Sequence, residues 1–222
     1  RFYPYDNIVS SVVGFFSNKQ SGSSGIEDYF NDALSGDQLH VEHQILDNQK
    51  IKYTKTDIPC GKDIKLTIDL ELQSILVSEL KKGLEESSAK SANGVIVNPH
   101  TGFILAMASV PDFNPNQYQN FNPLNYKNRV ISDSYEPGST YKIIALTAAI
   151  ENSKINLQDS IYCEDGYYKL KNGHILHDHE AHGMLSVPEV FSFSSNIGMA
   201  KIADLLSIQE LYDKSRQFGF GV

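Results

Sequence analysis

Residues Tyr135–Glu151 read YEPGSTYKIIALTAAIE. A Pro137-Gly138 turn delivers Ser139, and an apolar run follows: Ile143, Ile144, Ala145, Leu146, Ala148, Ala149 and Ile150. The spacing predicts a helix over about 139–151, apolar nearly all round and therefore central and buried. Lys142 interrupts it three positions after the serine. Three residues of helix rotate by about 300°, so the two side chains share one face. A lysine held among apolar neighbours loses solvation and its pKa falls. A neutral amine beside a hydroxyl is a general base beside a nucleophile. Free N–H groups at the start of the helix would also favour an oxyanion at Ser139. The plain alternative is that Lys142 reaches out to solvent and Ser139 caps the helix.

A second element bears on that choice. In FSFSSNIGMAKIA (191–203), Ser194-Ser195-Asn196 stands directly before another predicted helix, about 195–206. Ser and Asn there serve as ordinary N-caps. They also suit a proton relay through Ser194, with an Asn196 amide bonded to both the lysine and a substrate amide. S-x-x-K with a following S-[DS]-N is the motif pair of serine β-lactamases and penicillin-binding proteins.

Around these motifs the chain divides. Residues 1–60 are mixed and polar, with a Gly/Ser-rich flexible stretch at 17–25 and a helical pattern over 26–34 closed by Gly36. Residues 39–55 suggest extended segments. Lys65–Ile68 reads as a strand or extended lead-in. Asp69 then caps an amphipathic helix through Leu72, Ile75, Leu76, Leu80 and Leu84. Two β-rich runs, 94–97 and 103–108, flank NPHTG and predict a hairpin. Residues 111–134 and 152–186 read as loop.

The net charge is −8, which argues against non-specific nucleic-acid binding. Cys60 and Cys163 are too few for a disulfide scaffold and fit no metal motif, and we read them as separate thiols. His174, His177, His179 and His182 cluster in HILHDHEAH, which we read as a solvated loop rather than a metal site. No cofactor is called for. Asp133 and Glu136 read as turn and capping residues, and Tyr141 as core packing. No apolar stretch reaches the length of about 20 residues that spans a bilayer. The chain opens on Arg1 and stops in QFGFGV, so the expectation is a piece of a longer protein, with any membrane anchor upstream.

The whole pattern resembles the class B penicillin-binding proteins, the peptidoglycan D,D-transpeptidases. LTIDLELQSI resembles the family's lead-in, NGVIVNPHTGFILAMASVPDFNPN its first hairpin and following loop, and NRVISDSYEPGSTYK the segment presenting the nucleophile. HGMLSVPEVFSFSSNIGMAKIA resembles the second motif with its flanks. RFYPYDN, VVGFF and GIEDYFNDALSG resemble the end of the preceding module. The third motif, Lys-Thr-Gly or Lys-Ser-Gly, is not within the 222 residues.

The resemblance implies an α+β transpeptidase domain, helices with an antiparallel sheet that is incomplete here and reduced to one hairpin. Residues 1–60 would end a pedestal or dimerisation module and linker, and 61–222 would begin the transpeptidase domain. It implies Ser139 as nucleophile, Lys142 as base, and Ser194 and Asn196 as relay and substrate contacts, with Ser139, Ser194 and Asn196 binding substrate. The partners implied are D-Ala-D-Ala stem peptides, β-lactams, and divisome or elongasome proteins. The setting implied is a bacterial membrane with the catalytic domain outside the cytoplasm. Rival readings are a serine β-lactamase, a D,D-carboxypeptidase, a β-lactam sensor or an inactive scaffold. The N-terminal module speaks against the first two.

Overall fold

The structure, a computed structural model, describes residues 1–17, 21–36, 61–170 and 172–221, together with the backbone of two strands at 43–46 and 50–53. Cys60 lies outside the described residues. Cys163 is fully buried, its thiol free. The chain forms two compact units, Arg1–Ser134 and Tyr135–Val222.

The first unit begins with α1 (Ser10–Val13), the strand pair β1 (Phe16–Ser17) and β2 (Ser21–Gly22), α2 (Gly25–Tyr29) and α3 (Asn31–Ser35). Part of the Gly/Ser-rich stretch is thus antiparallel ladder, with Phe16 opposite Gly22. The helix expected over 26–34 is broken at Phe30, which caps α2 and opens α3, and Gly36 ends it with φ +66°. β3 (His43–Leu46) and β4 (Lys50–Tyr53) form an antiparallel pair. Residues 65–68 form a lead-in to the next helix and not a strand.

The predicted cap at Asp69 is real: Oδ1 accepts from the N–H groups of Glu71 and Leu72 at 3.0 Å, opening α4 (Leu70–Ser87). Its buried seam runs through Gln73 and Val77, while Ile75 is 52% exposed. α4 packs on the hairpin of β5 (Ala92–Val97) and β6 (Ile104–Val110). β6 is buried along Ala106–Val110, whereas Val95 and Val97 of β5 face solvent. Gln73 is fully buried. Its Nε2 donates to the carbonyls of Ile8 (2.8 Å) and Met107 (2.9 Å), and its Oε1 accepts from Met107 N–H (2.8 Å). One side chain therefore ties the N-terminal segment to the hairpin. Tyr3, Phe15 and Phe113 form an aromatic cluster in the same unit.

The region 111–134 is not plain loop. It holds 3-10 turns at Pro115–Asn120 and Pro123–Tyr126 and α5 (Arg129–Ser132). Each opens on an asparagine, Asn114, Asn122 or Asn128, whose side chain accepts from the N–H two residues on. Two of them carry Pro in the first turn, so the Asn-Pro steps are caps.

The second unit opens with a 3-10 turn, Gly138–Tyr141, that runs into α6 (Lys142–Glu151). Ile144, Ala145, Ala148 and Ala149 are buried, but Ile143 is 46% exposed, so α6 has an open side. The expected loop 152–186 contains four short strands: β7 (Ser160–Tyr162), β8 (Tyr167–Lys169), β9 (Ile175–His177) and β10 (Met184–Ser186). β7 pairs with β10 and β8 with β9, all antiparallel. One hairpin was the expectation; among the described residues there are five two-stranded ladders. α7 (Val187–Ser192), α8 (Asn196–Ala203) and α9 (Ile208–Gln217) complete the unit. α9, which the sequence reading did not anticipate, opens on a Ser207/Glu210 capping box. The core joins Ala145 and Ala149 of α6 to Cys163, Val187, Val190, Met199 and Ile202.

Candidate active site

The site lies within the second unit. Gly138, with φ +57°, lets the chain turn into the 3-10 segment that carries Ser139 and Tyr141. In a 3-10 turn residues three apart eclipse one another, which sets Lys142 above Ser139. Tyr141 is half-buried, its hydroxyl 2.6 Å from Ser215 Oγ and its ring edge-on to Phe220, in keeping with a packing role.

α7 and α8 meet at Phe193–Ser195 in a tight reversal. Ser194 N–H donates to Phe191 O (3.0 Å) and Ser195 N–H to Val190 O (2.9 Å). These are the two bonds of a Schellman motif, and Ser194 takes its left-handed position at φ +55°. Glycine normally stands there. Ser195 is the N-cap of α8, its Oγ accepting from Gly198 N–H at 2.9 Å. Of the Ser-Ser-Asn triplet, the middle residue is therefore the capping residue, while Ser194 and Asn196 face the amine.

Lys142 Nζ donates to Ser194 O (2.6 Å), Asn196 Oδ1 (2.7 Å) and Ser194 Oγ (3.0 Å). An ammonium has three donors, and here all three are engaged. The amine is half-buried, and loss of solvation holds its pKa below the usual lysine value, opposed by the negative charge of Asp178. Ser139 is exposed, and among the described residues its hydroxyl makes no hydrogen bond. The structure thus brings Lys142, Ser194 and Asn196 together. It leaves Ser139 one turn away with its hydroxyl open to solvent. The plain alternative fails on both halves: Ser139 caps no helix, and Lys142 turns inward. An open cleft of about 370 Å³ lies alongside, walled by Lys142, Asn196, Leu176, Met199 and Leu211.

The sequence reading missed Asp178, in the turn after β9. Its Oδ1 accepts from the N–H groups of Asn196 (2.5 Å) and Ile197 (3.0 Å), and its Oδ2 from Ser195 Oγ (2.6 Å). The neighbouring His177 carbonyl accepts from Asn196 Nδ2 (2.8 Å). That bond fixes the amide so that its oxygen faces Lys142. Nothing local in HILHDHEAH sets the aspartate apart from the histidines around it. Those go elsewhere: His177 packs edge-on to Tyr167 and His182 stacks on Phe193. Among the described residues no group of three or more His, Cys, Asp or Glu could hold a metal ion. Asp133 pairs with Lys127 and Arg129, which lower its pKa.

Residues 93–222 match the family described as the penicillin binding protein transpeptidase domain. The whole chain is 34% identical to a protein named probable peptidoglycan D,D-transpeptidase PbpC from Pseudomonas aeruginosa, covering 40% of it. It is 32% identical to stage V sporulation protein D of Bacillus subtilis, covering 35% of that protein. Among solved structures, it resembles penicillin binding protein 3 of Mycobacterium tuberculosis, seen in the apo form and complexed with aztreonam. The TM-score is 0.83 at 28% identity, over the whole chain and 47% of that one. The chain spans about two fifths of the length of the relatives it matches. Among the described residues no helix is long and apolar enough to cross a membrane.

Proposed function

This chain belongs to the penicillin-binding-protein transpeptidase family, and on that premise we propose that it carries the nucleophile half of a serine D,D-transpeptidase site. The observation that carries the reading is the seat of the Lys142 amine on Ser194 and Asn196, one turn after Ser139.

In the proposed reaction, Ser139 Oγ attacks the carbonyl joining the two terminal D-alanines of a peptidoglycan stem peptide. Neutral Lys142 takes the hydroxyl proton on its lone pair. The C–O bond forms, the C–N bond breaks, and the proton passes from Lys142 through Ser194 to the departing D-alanine nitrogen. The amine of a second stem peptide then displaces Ser139, and its proton returns along the same path. Asn196 orients the lysine and the substrate amide. The Ser139 N–H, at the start of a helical turn, is one oxyanion donor; losing such a donor costs about 10²–10³ in rate.

β-Lactams acylate the same serine in this reading. We assign residues 1–60 to the end of a preceding module and 61–222 to the start of the transpeptidase domain. The family match at 93–222, wholly inside the second range, supports this. The setting proposed is the outer side of a bacterial cytoplasmic membrane, among division or elongation proteins.

The test is covalent. The full-length protein carrying this chain is expected to be labelled by fluorescent penicillin, with the adduct on Ser139 by peptide mass mapping. Labelling that persists in Ser139→Ala overturns the assignment. Rapid turnover of a chromogenic cephalosporin would instead mark a β-lactamase.

A further inference from the structure

The amine of Lys142 does not sit on a rigid helix face. Two of its three acceptors come from Ser194, a residue in left-handed backbone, and the third from Asn196, the first residue of α8. Against that turn lies the Asp178 carboxylate, from the turn after β9. Asp178 engages three donors across residues 195–197, two backbone N–H groups and one hydroxyl. The two N–H groups are among those that a helix start leaves without partners, and an anion there also meets the positive end of the helix dipole. The carbonyl of His177 immediately before it fixes the Asn196 amide.

We propose that Asp178 is the positioning residue of this site: its carboxylate holds the Ser194–Asn196 turn against the first turn of α8 and thereby seats the Lys142 amine for proton transfer. The proposal rests on the transpeptidase reading and deepens it. The residue touches neither the reacting bond nor Ser139. It acts through Ser195, Asn196 and Ile197.

The carboxylate also acts on the amine across space. Asp178 is the charge that opposes the effect of burial on Lys142. Two lysines on the packed helices are engaged elsewhere. Lys201 on α8 pairs with Glu164, and Lys214 on α9 pairs with Glu151 at the far end of α6. Tyr141, in the preceding turn, bonds to Ser215, and the His177 ring packs on Tyr167. Removing the Asp178 charge therefore lowers the amine's pKa further, while removing its geometry unseats Asn196.

The experiment follows acylation of the full-length protein by fluorescent penicillin from pH 5 to 10 in the wild type, Asp178→Asn and Asp178→Glu. Asp178→Asn is expected to slow acylation by about tenfold to a hundredfold, as for a misplaced catalytic group. It should also move the rising limb of the pH profile to lower pH. Asp178→Glu keeps the charge but displaces it by a methylene, so it should slow acylation with the limb at its wild-type position. A wild-type rate in Asp178→Asn overturns the proposal. So does equal slowing in both variants with neither limb moved, because the carboxylate would then serve the fold alone. If Asp178→Asn does not fold, Asp178→Glu decides, and a wild-type rate there overturns it. Failure of the wild type to acylate on Ser139 is a different result: it defeats the transpeptidase reading and this inference with it.

Discussion

Ser194 Oγ and Lys142 Nζ stand 3.0 Å apart, and the backbone that puts the hydroxyl there is left-handed, with φ +55°. The same residue closes a Schellman motif, a place where glycine removes the steric cost of that conformation. A serine held there costs about 1–2 kcal/mol. Ser194→Gly is accordingly expected to raise the melting temperature while slowing acylation, because strain is relieved and the hydroxyl is lost. Ser194→Ala keeps the strain and should slow acylation without stabilising. Thermal melts with penicillin-labelling time courses check both. A destabilised Ser194→Gly would mean the hydroxyl supports the fold more than the backbone opposes it.

The Asn196 amide oxygen is 2.7 Å from the Lys142 amine. Asn196→Asp places a carboxylate there and favours the charged amine, which raises its pKa. General-base acylation needs the neutral amine, so the rising limb of the rate profile should move to higher pH, opposite to the shift expected for Asp178→Asn. Stability has its own sign. Burial depresses the Lys142 pKa in the folded protein, so the unfolded chain binds more protons between that value and the ordinary 10.5. Stability contributed by this group therefore rises with pH through that window. In Asn196→Asp the rise should flatten, which denaturant titrations at several pH values measure.

The sequence made one half of this site legible and hid the other. The spacing of Ser139 and Lys142, the Ser194-Ser195-Asn196 triplet and the Asp69 cap are local signals; the structure keeps the cap and the triplet at helix starts but moves Ser139 off the expected helix onto the 3-10 turn before it. Asp178 belongs to a different class of fact. Its carboxylate matters only because the β8–β9 ladder delivers residue 178 to the start of α8, and no pattern within a few residues encodes that. The four strands between 160 and 186 were missed for a related reason. Each is three residues long, too short to show alternation, and is held by its partner rather than by its own propensity. The division at Ser134 was equally invisible. Packing through Gln73 joins the N-terminal segment to the hairpin, across the compositional boundary near residue 60.

Gln73 supports a test of that join. Its amide serves three backbone partners with no solvent contact, so Gln73→Leu keeps the volume and strands the Ile8 and Met107 groups. Each stranded buried group costs about 1–3 kcal/mol. The expected result is a loss of several kcal/mol by chemical denaturation of the full-length protein, with proteolysis appearing first near the N-terminal segment. Gln73→Glu should be similarly harmful, because a carboxylate cannot donate to the two carbonyls.

Gly198 tests the packing behind the site. It lies in the first turns of α8, buried, and a Cβ there would meet Val190 Cγ1 at 2.6 Å, Val190 Cγ2 at 2.9 Å and Cys163 Sγ at 3.1 Å. Val190 belongs to α7, so the missing side chain lets the two helices approach closely on either side of the Ser194 turn. In an open helix, alanine would be favoured over glycine by about 1 kcal/mol. Here the contacts decide otherwise, because a β-branched valine has little freedom to move aside. Overpacking of this kind costs about 1–3 kcal/mol. Gly198→Ala is expected to lower the melting temperature and slow acylation together, since separating α7 from α8 shifts Ser194 and Asn196 relative to Lys142. Val190→Ala should leave room for the new methyl. The double variant Val190→Ala/Gly198→Ala should therefore be less unstable than the sum of the single losses. Strict additivity in that cycle would show that the two helices are not held apart by this contact.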